Sequence, residues 1–139
     1  MQSHSNIAFV QRSIVLSAPT VLTIQLLRFE NIHGISSKIS THVKCDERIY
    51  LRSGDGNAAV YQHRSTVAHT GLNANSGHCI VYKTFQDRYF RMSDGNYREL
   101  TQPGFKTAAL LGIRAAVRAP INETPYILIY DKIGFAAHS

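Results

Sequence analysis

The sequence predicts an α+β fold made mostly of antiparallel strands, and three observations carry that prediction. Apolar and β-branched residues alternate along most of the chain. Clusters of Gly, Asn, Asp and Ser interrupt these stretches at short intervals, as turns do. Only Lys106–Val117 has the Ala- and Leu-rich composition of a helix.

The elements follow in order. Pro19–Leu27 alternates, with Val21, Thr23 and Gln25 on one face and Leu22, Ile24 and Leu26 on the other. Asn31–Ser40 reads as a Gly/Ser/His loop, followed by short strands at Thr41–Cys45 and Ile49–Arg52. Ser53–Asn57 is a turn by composition, and Ala58–Thr70 is a long alternating strand. Gly71–Gly77 reads as loop. Cys79–Thr84 and Arg88–Met92 form two strands joined at Gln86-Asp87, and Ser93–Asn96 turns the chain into a short strand at Tyr97–Leu100. The helix of Lys106–Val117 closes at Pro120, and Tyr126–Tyr130 is a strongly apolar last strand. No internal repeat or linker divides the chain.

The bulk properties exclude several classes. A chain of 139 residues, 44% hydrophobic and 17% charged, has the composition of one soluble globular domain or part of one. No apolar run approaches the roughly 18–20 residues that a membrane-spanning helix needs. The opening Met1–Val10 has no basic flank before a sustained apolar run, so a cytosolic or nuclear setting is expected. The Asn122-Glu-Thr tripeptide is then a chance match to the glycosylation pattern. Fifteen Lys and Arg against nine Asp and Glu give a net charge of +6, but the basic residues stand singly. A solvated basic surface explains this more simply than a nucleic-acid site. Cys45 and Cys79 form no C-x-x-C pair, and the histidines lack metal-ligand spacing, so no metal or other cofactor is expected. Serine-hydrolase elbows, phosphate loops and H-E-x-x-H motifs are absent from the sequence.

The chemistry concentrates in His69-Thr-Gly-Leu-Asn-Ala-Asn-Ser-Gly-His78-Cys-Ile-Val-Tyr82. A histidine after a Gly-rich loop, at the mouth of a strand, has its backbone fixed and its ring open to a substrate chain. Imidazole titrates near neutrality, so it can take a thiol proton and return it to a leaving amine. Such a ring needs an orienting partner on its second nitrogen. Antiparallel pairing of the Arg88–Met92 strand with Cys79–Thr84 brings Ser93 or Asp94 beside His78.

Taken together, these segments resemble the ubiquitin-specific proteases, a papain-like group of deubiquitinases. Pro19-Thr-Val-Leu-Thr-Ile-Gln-Leu-Leu-Arg-Phe29 resembles that family's proline-led strand ending in Leu-Lys-Arg-Phe. Thr66–Gly71 with Ser76-Gly77-His78-Cys79 resembles its histidine box, Tyr89–Asp94 its aromatic strand before the third catalytic residue, and Pro125–Tyr130 its closing strand. The resemblance runs in order from about Ala18 to Lys132.

The resemblance implies residues 1–17 as a lead-in, 18–132 as the C-terminal half of the catalytic domain, and 133–139 as a tail. It implies a partial papain-like fold, with the Cys-bearing helical subdomain lying outside this chain. It makes His78 the general base. Ser93 falls where the family usually has Asp or Asn, and Asp94 matches the adjacent acidic position. Gly77, Cys79 and Tyr126 fall along the channel for the ubiquitin tail, with Cys79 replacing the usual Tyr. Glu30–Ser37 and Leu72–Ser76 match loops that gate that channel, and His69 matches a supporting histidine.

Neither cysteine serves as nucleophile on this reading. Cys45 matches a strand position usually aromatic, and Cys79 points to the face opposite His78. The expected function is the histidine-bearing portion of a deubiquitinase, inactive alone. Its partners are ubiquitin or a ubiquitin-conjugated protein and the missing Cys-bearing segment, with no membrane partner. A non-catalytic ubiquitin-binding or regulatory module is the alternative, and a basic nucleic-acid-binding β domain the third. An isolated sheet portion is expected to be marginally stable or to self-associate, since its partner's departure bares apolar surface and strand edges.

Overall fold

A computed structural model describes residues 8–39, 41, 43–73, 76–114 and 121–136. The strands are β1 (Val21–Gln25), β2 (Phe29–Ile32), β3 (Ile35–Lys38), β4 (Arg48–Arg52), β5 (Ala58–Asn73), β6 (Ser76–Phe85), β7 (Arg88–Ser93), β8 (Asn96–Leu100), β9 (Ile113–Arg114) and β10 (Ile121–Phe135). A short helix, α1 (Gln102–Lys106), runs directly into a π-helical turn over Thr107–Leu111. The main sheet is antiparallel in the order β1-β10-β5-β6-β7-β8, with β4 on β5 and β9 on β10, while β2 and β3 form a separate hairpin.

Three of the hairpins, β2–β3, β6–β7 and β7–β8, turn through two residues, and local chemistry explains each turn. His33 and Gly34, Gln86 and Asp87, and Asp94 and Gly95 all have positive φ between directly paired strand ends. That is the two-residue turn whose twist suits a right-handed hairpin.

The long strands are bent by bulges. Ile129 faces Ser65 while Tyr130 faces His63, so Arg64 is an extra residue in β5. This shifts the alternation by one and keeps Tyr61, His63, Thr66 and Ala68 on a single face. The helical segment covers that face. Phe105, Ala108 and Ala109 pack on Ala68, Ile80 and Tyr82, and Leu110 packs with Ala59, Tyr61, Leu128 and Tyr130. Leu22, Ile24 and Leu26 join the second cluster, as the alternation predicts.

The structure corrects several sequence expectations. Part of the supposed loop Asn31–Ser40 is the β2–β3 hairpin, because Ile32 and Ile35 pair across the His33-Gly34 turn; Ser40 lies outside the described residues. No strand forms at Thr41 or Val43–Cys45; instead the Cys45 amide bonds the Leu110 carbonyl at 3.2 Å. The helix lies earlier than Lys106–Val117. Thr101 caps it, its side chain accepting from the Gly104 amide at 3.2 Å, with Pro103 in the first turn. Gly112 at φ 91 ends it, and Ile113–Arg114 is already strand. Residues 115–117, and Pro120 with them, lie outside the described residues. The Gly71–Gly77 loop is shorter than expected, since β5 reaches Asn73 and β6 starts at Ser76; Ala74 and Asn75 are outside the described residues. The last strand extends well past Tyr126–Tyr130 at both ends.

Candidate active site

His78 sits near the start of β6, opposite Thr70 of β5, whose Oγ1 donates to the His78 carbonyl at 3.3 Å. Gly77 precedes it at φ 113, and a Cβ there would lie 1.8 Å from the Thr70 carbonyl oxygen. No side chain fits, so the glycine is a steric requirement of the turn into the His78 strand.

The β6–β7 hairpin then returns the chain to the imidazole. Ser93, the last residue of β7, places its Oγ 2.9 Å from His78 Nε2. Asp94 occupies the first left-handed position of the next turn, and its Oδ1 is 3.5 Å from the same nitrogen. The Asp94 side chain is 79% exposed and that of His78 40%, so their attraction is screened by water. Ser93 is therefore the closer hydrogen-bond partner, and the other ring nitrogen, Nδ1, is not engaged by this pair.

Cys79 pairs with His69 in the ladder and is exposed. As the neighbour of His78 along one strand, its side chain points to the other face. Cys45 lies beside β4 against the second core cluster, where burial raises its thiol above the ordinary range. Neither thiol is a hydrogen-bond partner of His78 among the described residues.

Tyr126 is the extra residue of a bulge in β10, between Pro125 and Ile127. Its hydroxyl accepts from Gln25 Nε2 at 2.7 Å, and its ring meets Phe29 edge-on at a centroid distance of 5.4 Å. Phe29 also meets buried His69 edge-on at 5.1 Å. Phe29, His69 and Tyr126 thus form an aromatic wall, and a Cβ at Gly77 would come within 3.0 Å of His69 Nε2.

One polar network beside the site has no signature in the sequence. The Tyr82 hydroxyl lies 3.0 and 3.1 Å from the two Glu123 carboxylate oxygens, and Arg91 Nη2 donates to Oε1 at 2.9 Å. Glu123 and Tyr82 are buried, and burial pushes the Tyr82 hydroxyl up to about 12. This network links β7, two residues before Ser93, to β10, three residues before Tyr126. A cavity of about 460 Å³ lies elsewhere, around His63, Tyr89 and Phe105, and neither His78, Ser93 nor Tyr126 lines it.

Among the described residues the antiparallel sheet carries one short covering helical segment and presents a histidine–hydroxyl pair at a strand mouth. The chain belongs to the ubiquitin carboxyl-terminal hydrolase family, whose sequence profile matches residues 5–130. No curated protein matches the chain.

Solved structures of a multi-protein deubiquitinase assembly share the fold. The Ubp8-Sgf11-Sgf73-Sus1 SAGA DUB module matches with a TM-score of 0.68 at 20% identity, over 87% of this chain and 26% of that one. A form of that module bound to monoubiquitin gives 0.62 at 21% identity, over 87% and 24%. A yeast SAGA DUB module with a mutant Sgf73 gives 0.63 at 20%, also over 87% and 24%. The chain therefore spans about a quarter of the length of the solved chains it matches. Among the described residues no helix is long and apolar enough to cross a membrane.

Proposed function

We propose that this chain carries the general-base portion of a cysteine-type deubiquitinase, with His78 as the base and Ser93 as its orienting partner. The observation that carries the reading is the 2.9 Å contact between His78 Nε2 and Ser93 Oγ at the mouth of β6. With Nε2–H donating to Ser93, Nδ1 holds the lone pair that accepts the proton of a cysteine thiol supplied from outside these residues. The thiolate attacks the carbonyl carbon of the isopeptide bond after ubiquitin's C-terminal glycine. The imidazolium returns its proton to the departing lysine amine, leaving a thioester. Water then attacks the thioester, its proton passing to Nδ1 and on to the thiolate that leaves. Ser93 fixes the ring tautomer without adding charge, so it stabilises the imidazolium less than a carboxylate would. Exposed Asp94, at 3.5 Å, supplies part of that charge.

The test is hydrolysis of a fluorogenic ubiquitin substrate. The 139-residue chain alone is expected to show no turnover. In the active native enzyme, His78→Ala abolishes turnover and Ser93→Ala lowers kcat about a hundredfold. Turnover by the chain alone, or full activity in the His78→Ala enzyme, overturns the reading. A non-catalytic ubiquitin-binding module is the second reading, favoured by the uncharged residue at position 93. Saturable monoubiquitin binding, with a native product of 15.5 kDa on immunoblot, would select it.

A further inference from the structure

Two cations hold the β2–β3 hairpin in place, and neither forms a salt bridge among the described residues. Arg28, which leads into β2, is only 3% exposed. Its Nε donates to the Pro125 carbonyl at 3.3 Å, and its Nη1 donates to the carbonyls of Ile39, also at 3.3 Å, and Thr41. The Ile39 amide returns a bond to the Arg28 carbonyl at 2.5 Å. At the end of β3, Lys38 Nζ reaches across to the His69 carbonyl at 2.8 Å. Burial lowers the basicity of both groups, and Arg28 lowers that of Lys38 further.

Burying a cation without a counter-ion is costly. A guanidinium spans several carbonyls at once, so here it closes the open backbone positions of an irregular junction. The carbonyls held by the two cations border the wall and the hairpin: Arg28 holds Pro125, which precedes Tyr126, and Ile39 and Thr41, which follow β3, while Lys38 holds His69, whose ring Phe29 meets.

We propose that Arg28 and Lys38 are positioning residues that fasten the open end of the β2–β3 hairpin, where Phe29 pairs with Lys38, to the main sheet. They thereby set the Phe29–His69–Tyr126 wall beside the Gly77–His78 strand mouth, along which an extended substrate tail runs. The substrate part of this inference rests on the deubiquitinase reading; the clamp itself does not. Hydrogen bonds from ions to neutral carbonyls are strong and directional, so the wall is set before substrate arrives.

The test uses the whole chain, by NMR and by titration with monoubiquitin. Lys38→Met is expected to speed exchange of the Ile39 amide about tenfold. It also moves the His69 ring signals as Phe29 swings away, and it weakens monoubiquitin binding about tenfold, while amides of β5–β7 keep their protection. Lys38→Arg restores all three. Arg28→Lys, which loses the fork but keeps the charge, loosens the Ile39 amide as well. Unchanged Ile39 exchange and His69 signals in Lys38→Met overturn the clamp. Faster exchange throughout β5–β7 reduces Lys38 to a folding role and overturns positioning, as does unchanged ubiquitin affinity. If the wild-type chain binds no ubiquitin while the NMR effects appear, the clamp stands and its link to a ubiquitin tail falls.

Discussion

Two histidines on this sheet make the same contact and differ in everything that surrounds it. His63 Nε2 lies 2.6 Å from Thr66 Oγ1, and His78 Nε2 lies 2.9 Å from Ser93 Oγ. His63 sits mid-sheet under the helix, 6% exposed, with the Phe105 ring at 5.8 Å and the Tyr130 ring at 5.4 Å. Burial pulls its pKa down to about 4, against smaller opposing effects from a Ser65 backbone bond and Glu47. It is a neutral core residue at ordinary pH. His78 lies at the strand mouth, where its side chain stays 40% exposed and beyond the core clusters formed with the helix. A hydroxyl partner therefore does not single out a candidate catalytic histidine; access for a proton and a substrate does.

The strongest way to break this contrast is to uncover His63. Phe105→Ala empties the helix side of the core and is expected to cost about 3–5 kcal/mol, read by chemical denaturation. Its second readout is the His63 titration, which should move back up from about 4 as water reaches the ring.

Next in size is the pH dependence of the wild-type protein. The folded pKa of His63, about 4, lies below the ordinary value of 6.5, so between those values the unfolded chain binds the extra proton. Stability due to this group is complete above 6.5 and is lost as pH falls towards 4, by about 3 kcal/mol in all. His63→Gln should flatten that part of the stability curve, and an unchanged slope would assign it to other groups.

A smaller effect is expected from the helix cap that helps keep His63 covered. Thr101→Ala removes the side-chain acceptor of the Gly104 amide and should cost about 1 kcal/mol, measured as a lower Tm. At the exposed end of the contrast, Ser93→Ala should change stability by less than about 0.5 kcal/mol. It should nevertheless free the His78 tautomer, which the ring nitrogen shifts in NMR report directly.

Much of the fold was legible because its signals are local. Alternation marked β1, β5, β6, β7 and β8, and turn residues at Gln86-Asp87 and Asp94-Gly95 fixed the registers. Those registers bring Ser93 back to His78, so the candidate pair was legible as a consequence of one hairpin. The errors fell where composition misled. The expected helix ran over Ile113–Arg114, which are strand, although Thr101, Pro103 and Gly112 held the start and stop signals. His33-Gly34 read as loop because Ser and Gly around it hid a four-residue strand on each side.

By itself the sequence determined the strands β1, β4, β5, β6, β7 and β8, the tight turns at Gln86-Asp87 and Asp94-Gly95, and the family. All of these depend on neighbours within one or two hairpins, or on residue types that a fixed backbone requires. Tertiary structure alone decided the rest. It joined Tyr82 to Glu123 across 41 positions, and Arg28 to Pro125 across 97. It also made His63 a core residue, which its place in a long alternating strand did not reveal, whereas His78 stayed at the strand mouth where its Gly-rich lead-in put it. The physical reason is that burial and long-range carbonyl partners come from the packing of distant segments, and no local pattern of residues records which segments will meet.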